Sequence, residues 1–172
     1  MVYIVRSLIA LILICSYPMV IMAKEIEYNH NSKTISELKK EVDYPIFAPG
    51  NIPEDWTLEI KTYPMDNRKN FTHFRLHYMD KEDTILKVAI EQRKKAPEAV
   101  DIFTGSTEVV DINGNRGKFS SWVNSGKVDN KGELITGGLL QWTQDGTTVE
   151  MYSSRINKEM MIDIARSMEV VK

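Results

Sequence analysis

The sequence predicts an α+β domain: a curved antiparallel sheet of about six to seven strands, with an N-terminal and a C-terminal helix packed on one face. Three observations point there. Several segments alternate apolar and polar residues with a period of two. Two joints between such segments are Asn113-Gly114 and Asp145-Gly146, dipeptides that supply the positive φ angles a tight hairpin turn needs. Both ends of the domain carry apolar residues at helical spacing behind a capping residue.

The first helix opens at Thr34-Ile35-Ser36-Glu37, a capping box in which Thr34 accepts from the backbone and Glu37 reaches back. Ile35, Leu38 and Val42 form its apolar stripe, and Tyr44-Pro45 ends it, because a residue before proline avoids the α region. Pro45, Pro49 and Pro53 follow in close succession. Without amide hydrogens they exclude a helix or an interior strand. An extended crossover pinned by Ile46, Phe47 and Ile52 is expected instead.

The period then becomes two. Trp56, Leu58 and Ile60 oppose Thr57, Glu59 and Lys61; Phe74, Leu76 and Tyr78 oppose His73, Arg75 and His77; Leu86, Val88 and Ile90 oppose Lys87, Ala89 and Glu91. The polar joint 79–83 is short enough for a hairpin. Segments 108–112 and 118–123 flank Asn113-Gly114, and segments 139–144 and 147–152 flank Asp145-Gly146. Between these two hairpins, 124–138 is a polar, glycine-bearing loop. Asn157 caps the last helix, Ile156 is placed to staple onto Met161, and Met160, Met161, Ile164, Ala165 and Met168 form its packing side.

Residues 8–23 are almost unbrokenly apolar, with Arg6 before them and Lys24-Glu25-Ile26-Glu27 after, the pattern of an export or anchor signal. Pro18 breaks its helical continuity, and Ala23 is the small residue suited to cleavage. An uncleaved anchor is the alternative, since the run approaches the roughly 20 residues that span a bilayer. Ile14 precedes Cys15 where lipid attachment wants a small residue. The expected organisation is a signal peptide or anchor over 1–23, a linker over 24–33 and one domain over 34–172. The expected location is extracytoplasmic, either secreted or held at the cytoplasmic membrane through 1–23.

Of 172 residues, 149 lie beyond that segment, enough for one domain to bury a core without staples. Cys15 is the only cysteine, so thiol catalysis, redox chemistry and cysteine-based zinc sites have no residues to use. Beyond residue 23 the charge is 21 Lys+Arg against 24 Asp+Glu, a slight acidity with no pull towards nucleic acid. No cofactor or metal is expected. His73 and His77 share a strand face but stand about 13 Å apart along it, and Arg75 between them would repel a cation. They are expected to face solvent.

Ser120, Ser121, Ser153 and Ser154 offer hydroxyls, but no G-x-S-x-G elbow presents them. Asn70-Phe71-Thr72 matches the short glycosylation pattern. The remaining lead is aromatic. Trp56, Phe74, Tyr78, Trp122, Trp142 and Tyr152 either build the core or line an apolar binding groove on the sheet.

The entry of the domain, Pro45-Ile46-Phe47-Ala48-Pro49 with Ile52-Pro53-Glu54-Asp55-Trp56, resembles a bacterial family known as domain of unknown function 4367. So does its ending, Leu140-Gln141-Trp142-Thr143-Gln144-Asp145-Gly146 followed by Asn157-Lys158-Glu159 and a helix through Ala165-Arg166-Ser167-Met168. The resemblance runs from about Ile35 to Val170. Asp55-Trp56 stands where the family has glycine and tyrosine, which implies a different turn. The resemblance implies an outer portion of an envelope protein or anti-sigma factor and brings no catalytic residues. With about seven residues before the apolar run, a cytosolic sigma-binding region is not expected here. The expected function is a non-enzymatic exported binding or sensory module, with an envelope protein or apolar ligand as partner. An envelope hydrolase using serine with His73 or His77, and a structural envelope or spore protein, are the alternatives.

Overall fold

The computed structural model describes residues 33–64, 71–97, 102–122 and 128–172. The apolar run with Ala23, the linker up to residue 32, and Asn70 of the short glycosylation pattern lie outside them. Elements follow in the order α1 (Ile35–Leu38), β1 (Phe47–Pro49), β2 (Thr57–Tyr63), β3 (His73–Met79), β4 (Leu86–Lys94), β5 (Glu108–Ile112), β6 (Asn115–Ser121), β7 (Gly138–Gln144), β8 (Thr147–Ser153), α2 (Lys158–Arg166) and β9 (Met168–Val170). The fold is mostly antiparallel sheet with few helices.

Seven strands form one open sheet in the order β2-β3-β4-β8-β7-β6-β5. All its pairings are antiparallel. Sequence neighbours pair through hairpins, and β4 meets β8 where the two halves join. The turns are as the sequence requires: Asn113 and Gly114 have φ of 50° and 84°, Asp145 and Gly146 of 46° and 83°.

Register sorts the side chains into two sets, because directly paired residues share a face. Ile60, Leu76, Ile90, Met151, Leu140 and Phe119 align across six strands. All six are buried. They join Leu38 of α1 and Met161, Ile164 and Ala165 of α2 in one apolar cluster. One residue along each strand the register gives Lys61, Arg75, Glu91, Glu150, Gln141 and Lys118, a polar row on the opposite face.

The capping box at Thr34 forms as expected, with Glu37 N donating to Thr34 Oγ1 at 3.2 Å and Thr34 N to Glu37 Oε2 at 2.7 Å. The helix is shorter than its stripe implied: four residues, followed by turns that still bond Val42 N to Leu38 O. Asn157 caps α2, accepting from Met160 N at 2.9 Å. That helix ends at Arg166 rather than continuing through Met168, because the chain turns at Ser167 into β9.

β9 pairs with β1 in a separate two-stranded ribbon, Phe47 opposite Val170 and Pro49 opposite Met168. Pro49 thus sits at a ribbon edge, where its missing donor is tolerated. The ribbon is fastened to the large sheet by Gln92, fully buried on β4. Phe47 N donates to Gln92 Oε1 at 2.8 Å, and Gln92 Nε2 donates to Phe47 O at 2.7 Å. Thr147 Oγ1 donates to Pro45 O at 2.7 Å beside it.

Candidate functional site

The six aromatic residues singled out from the sequence do not share one surface. Phe74, Tyr78 and Trp142 are buried in the apolar cluster, and Trp56 packs half-buried against it. Burial pushes the Tyr78 hydroxyl up to about 12. Tyr152 lies on the other face, paired with Ala89 and Leu139. Trp122 follows β6 and is 42% exposed. These residues share one chemical type, but strand parity separates them.

The polar face is densely cross-linked. Glu91 accepts from Arg75 Nε and from Arg93 Nη1, each at 2.7 Å, and Arg93 also bonds Glu150. Gln141 Nε2 donates to Glu150 Oε1 at 3.0 Å. The Arg75 guanidinium lies over the Tyr63 ring at 4.7 Å and the Tyr152 ring at 5.2 Å, a cation held by two aromatic faces.

The histidines are not the solvent-facing pair the alternation implied. His77 Nδ1 is 3.9 Å from Glu59 Oε2, and its side chain is mostly covered. Burial, aided by the Lys61 charge, pushes this imidazole down to about 4 against the opposing pull of Glu59. His73 stacks on Tyr63 with centroids 5.1 Å apart and bonds Thr72 Oγ1 through Nδ1 at 2.9 Å. Its Nε2 stands 3.8 Å from Glu91 Oε2, beyond hydrogen-bond reach. Among the described residues no group of three or more His, Cys, Asp and Glu is placed to hold a metal ion.

Tyr152 and Trp122 meet in one cleft of about 280 Å³, lined also by Thr84, Ile85, Leu86, Ser153, Ser154 and Arg155. Its floor is set by two turns. Asp80 Oδ1 accepts from Thr84 N at 2.7 Å and Ile85 N at 3.0 Å, which shapes the start of β4. Ser153 Oγ donates to Lys87 O and accepts from Arg155 N at 2.9 Å and Ile156 N at 3.2 Å. That bend orients Arg155, whose Nη2 pairs with Asp129 Oδ2 at 2.9 Å. Asp129 in turn accepts from Lys131 N and Glu133 N. Those two backbone bonds, with the Arg155 and Lys131 charges, hold the Asp129 carboxyl below the usual range.

The polar loop expected over 124–138 is therefore tied to the cleft, in its part from 128 onwards. Trp122 N donates to Gly137 O at 3.1 Å. Gly137 has φ of 96°, and an added Cβ would lie 2.4 Å from Ser153 O, so only glycine closes the loop here.

Two side-chain atoms among the described residues are buried without a hydrogen-bond partner: Tyr152 Oη and Arg155 Nη1. Both belong to residues that line this cleft. A second cleft, of about 350 Å³, shares Trp122 with the first and is lined also by Ile102, Phe103, Thr104, Gly105, Ser120, Ser121 and Leu139. Arg155 and Thr84 carried no periodic signal, and Leu86, expected on the apolar face with Val88 and Ile90, is 37% exposed because the register shifts between Tyr78 and Met79. The one available signal was an arginine in the bend between β8 and the Asn157 cap.

Among the described residues no helix is long and apolar enough to cross a membrane. No curated protein and no solved structure matches the chain. A family's sequence model does match, over residues 46–168, from just before β1 to the start of β9, and so includes every strand of the large sheet. The match starts after α1, later than the resemblance seen in the sequence. The chain belongs to the family described as a domain of unknown function, DUF4367.

Proposed function

We propose that this domain is a non-enzymatic, exported binding or sensory module at the outer face of a bacterial cytoplasmic membrane, and that it takes its ligand in the cleft beside Trp122. The observation that carries the binding part is the pair of unpartnered buried atoms, Tyr152 Oη and Arg155 Nη1, on residues lining one cleft. A buried polar group left unmatched costs about 1–3 kcal/mol, so two of them on residues of one cleft favour that cleft as the place where a bound group is met. The export part rests on residues 8–23. In this reading the two helices cover the apolar face of the sheet, leaving the polar face and its rim to the ligand.

Native mass spectrometry of the protein, gently purified from its own envelope, tests the binding part. A bound species is expected, reduced in Trp122→Ala. A clean apo mass, with no partner captured by crosslinking in cells, would sink it. Fractionation tests export: the chain is expected outside the cytosol, beginning after Ala23 or held in the membrane, and a full-length cytosolic chain would overturn that.

The hydrolase reading has one observation in its favour, the Thr72 hydroxyl on the His73 ring. Against it, Glu91 is committed to Arg75 and Arg93. The His73→Ala, His77→Ala double variant is therefore expected to leave ligand capture intact.

A further inference from the structure

We infer that the ligand is an uncharged oligosaccharide that runs across Trp122, with one ring in each of the two clefts beside it. This rests on the binding reading above. Trp122 lines both clefts. Its half-exposed indole is a flat apolar face, the surface on which the C–H-rich face of a sugar ring stacks. An oligosaccharide with a ring in each cleft would lay a ring's C–H face against the indole they share.

The remaining lining has the polarity such a ligand needs. Thr84 and Ser154 offer hydroxyls on one side, and Thr104, Ser120 and Ser121 on the other. A hydroxyl both donates and accepts, so it can match a sugar hydroxyl in either sense. Among the described residues Arg155 is the only charged side chain lining either cleft, and Asp129 already neutralises it at 2.9 Å. What Arg155 retains is the unspent Nη1 donor, which suits a hydroxyl or ring oxygen without requiring an anion.

Both clefts are half open to solvent and have a mixed polar and apolar lining. A lipid chain needs an enclosed apolar cavity, which neither provides. A peptide adding to the sheet needs an unpaired strand edge. Trp122 instead follows β6, which is paired on both sides, by β5 and β7.

The test uses the full chain in mild detergent with defined probes. These are neutral tetramers of β1,4-linked glucose, β1,4-linked N-acetylglucosamine, β1,3-linked glucose and α1,6-linked mannose, their monosaccharides, and tetragalacturonate as the anionic counterpart. Calorimetry gives affinities, and the indole N–H signal of Trp122 reports the contact. At least one neutral tetramer is expected to bind about tenfold or more tighter than its monosaccharide. Its affinity should change by less than about twofold between roughly 0.05 and 0.5 M salt. Trp122→Ala, at an exposed position, should weaken binding about tenfold or more. Tyr152→Phe, which removes only the hydroxyl, should weaken it about threefold and leave the fold intact.

Binding of tetragalacturonate alone, or full affinity in Trp122→Ala, would overturn the inference. So would silence of the whole neutral panel combined with sugar-free endogenous material. The two readings fail separately. A lipid, peptide or anion recovered from the native protein removes the oligosaccharide and leaves the binding module standing, whereas an empty native protein removes both.

Discussion

Tyr152 sits one residue from Met151, and that single step carries it through the sheet. Met151 is fully buried among the apolar side chains, while Tyr152 lies under the Arg75 guanidinium on the polar face. Its hydroxyl is shut away without a partner, and burial raises it far above the ordinary phenol range. Tyr152→Phe keeps the ring beneath Arg75 and deletes the unmatched atom. Its unfolding free energy is expected to stay level or to rise by up to about 1 kcal/mol, measured by urea denaturation. A fall of that size would mean the hydroxyl has a partner in solution. The parity that separates Tyr152 from Val149 and Met151 is present in the sequence. Grouping residues by aromatic type hid it. Arg155 was hidden for a different reason: its importance depends on Asp129, which reaches it only through the folded loop.

At the scale of elements, the strands of the large sheet were legible because one face is apolar and the other polar, so alternation survives along His73–Met79 and Gly138–Gln144. The hairpins were legible because Asn113-Gly114 and Asp145-Gly146 are local signals. β1 and β9 were not. Met168 continues the spacing of Ile164 and Ala165 and so looked like more helix, while its strand partner, Pro49, is remote in the chain. Gln92 was equally opaque. A glutamine in a strand reads as surface, yet here it replaces a strand neighbour for Phe47. Gln92→Leu would bury that backbone N–H and C=O unpaired, and is expected to cost about 2–4 kcal/mol in denaturant unfolding. A change under about 1 kcal/mol would show that the ribbon is not fastened there.

For the molecule as a whole, pH acts through the polar face. His77 is held at about 4, below its ordinary 6.5, by burial and by Lys61. Between those values the unfolded chain binds its proton and the folded chain does not. Stability is therefore fully present above pH 6.5 and declines as pH falls towards 4. Removing the titrating ring with His77→Gln is expected to flatten the fall in Tm across that window while leaving the slope above pH 7 unchanged. Identical pH profiles for variant and parent would refute the assignment. This coupling was not legible in the sequence, where His77 looked like one of two solvent-facing residues. The cover over it comes from strands on both sides, through Glu59 and Ala89 in register with it.

The β1–β9 ribbon has a mechanical consequence. Phe47 and Val170 face each other at one end of it, beside the Val171 N to Ile46 O bond, so the chain leading in from α1 and the chain leading out run side by side there. If both flanks were pulled, once α1 had let go, the load would fall on one pair of strands at a time, from Phe47–Val170 towards Pro49–Met168. Ladders loaded in that direction open in sequence, like a zipper, and not all at once in shear. The large sheet, which grips this segment through Gln92 and Thr147, would feel the strain second. A body held from a single flank would carry no such load, and its ribbon would stay shut.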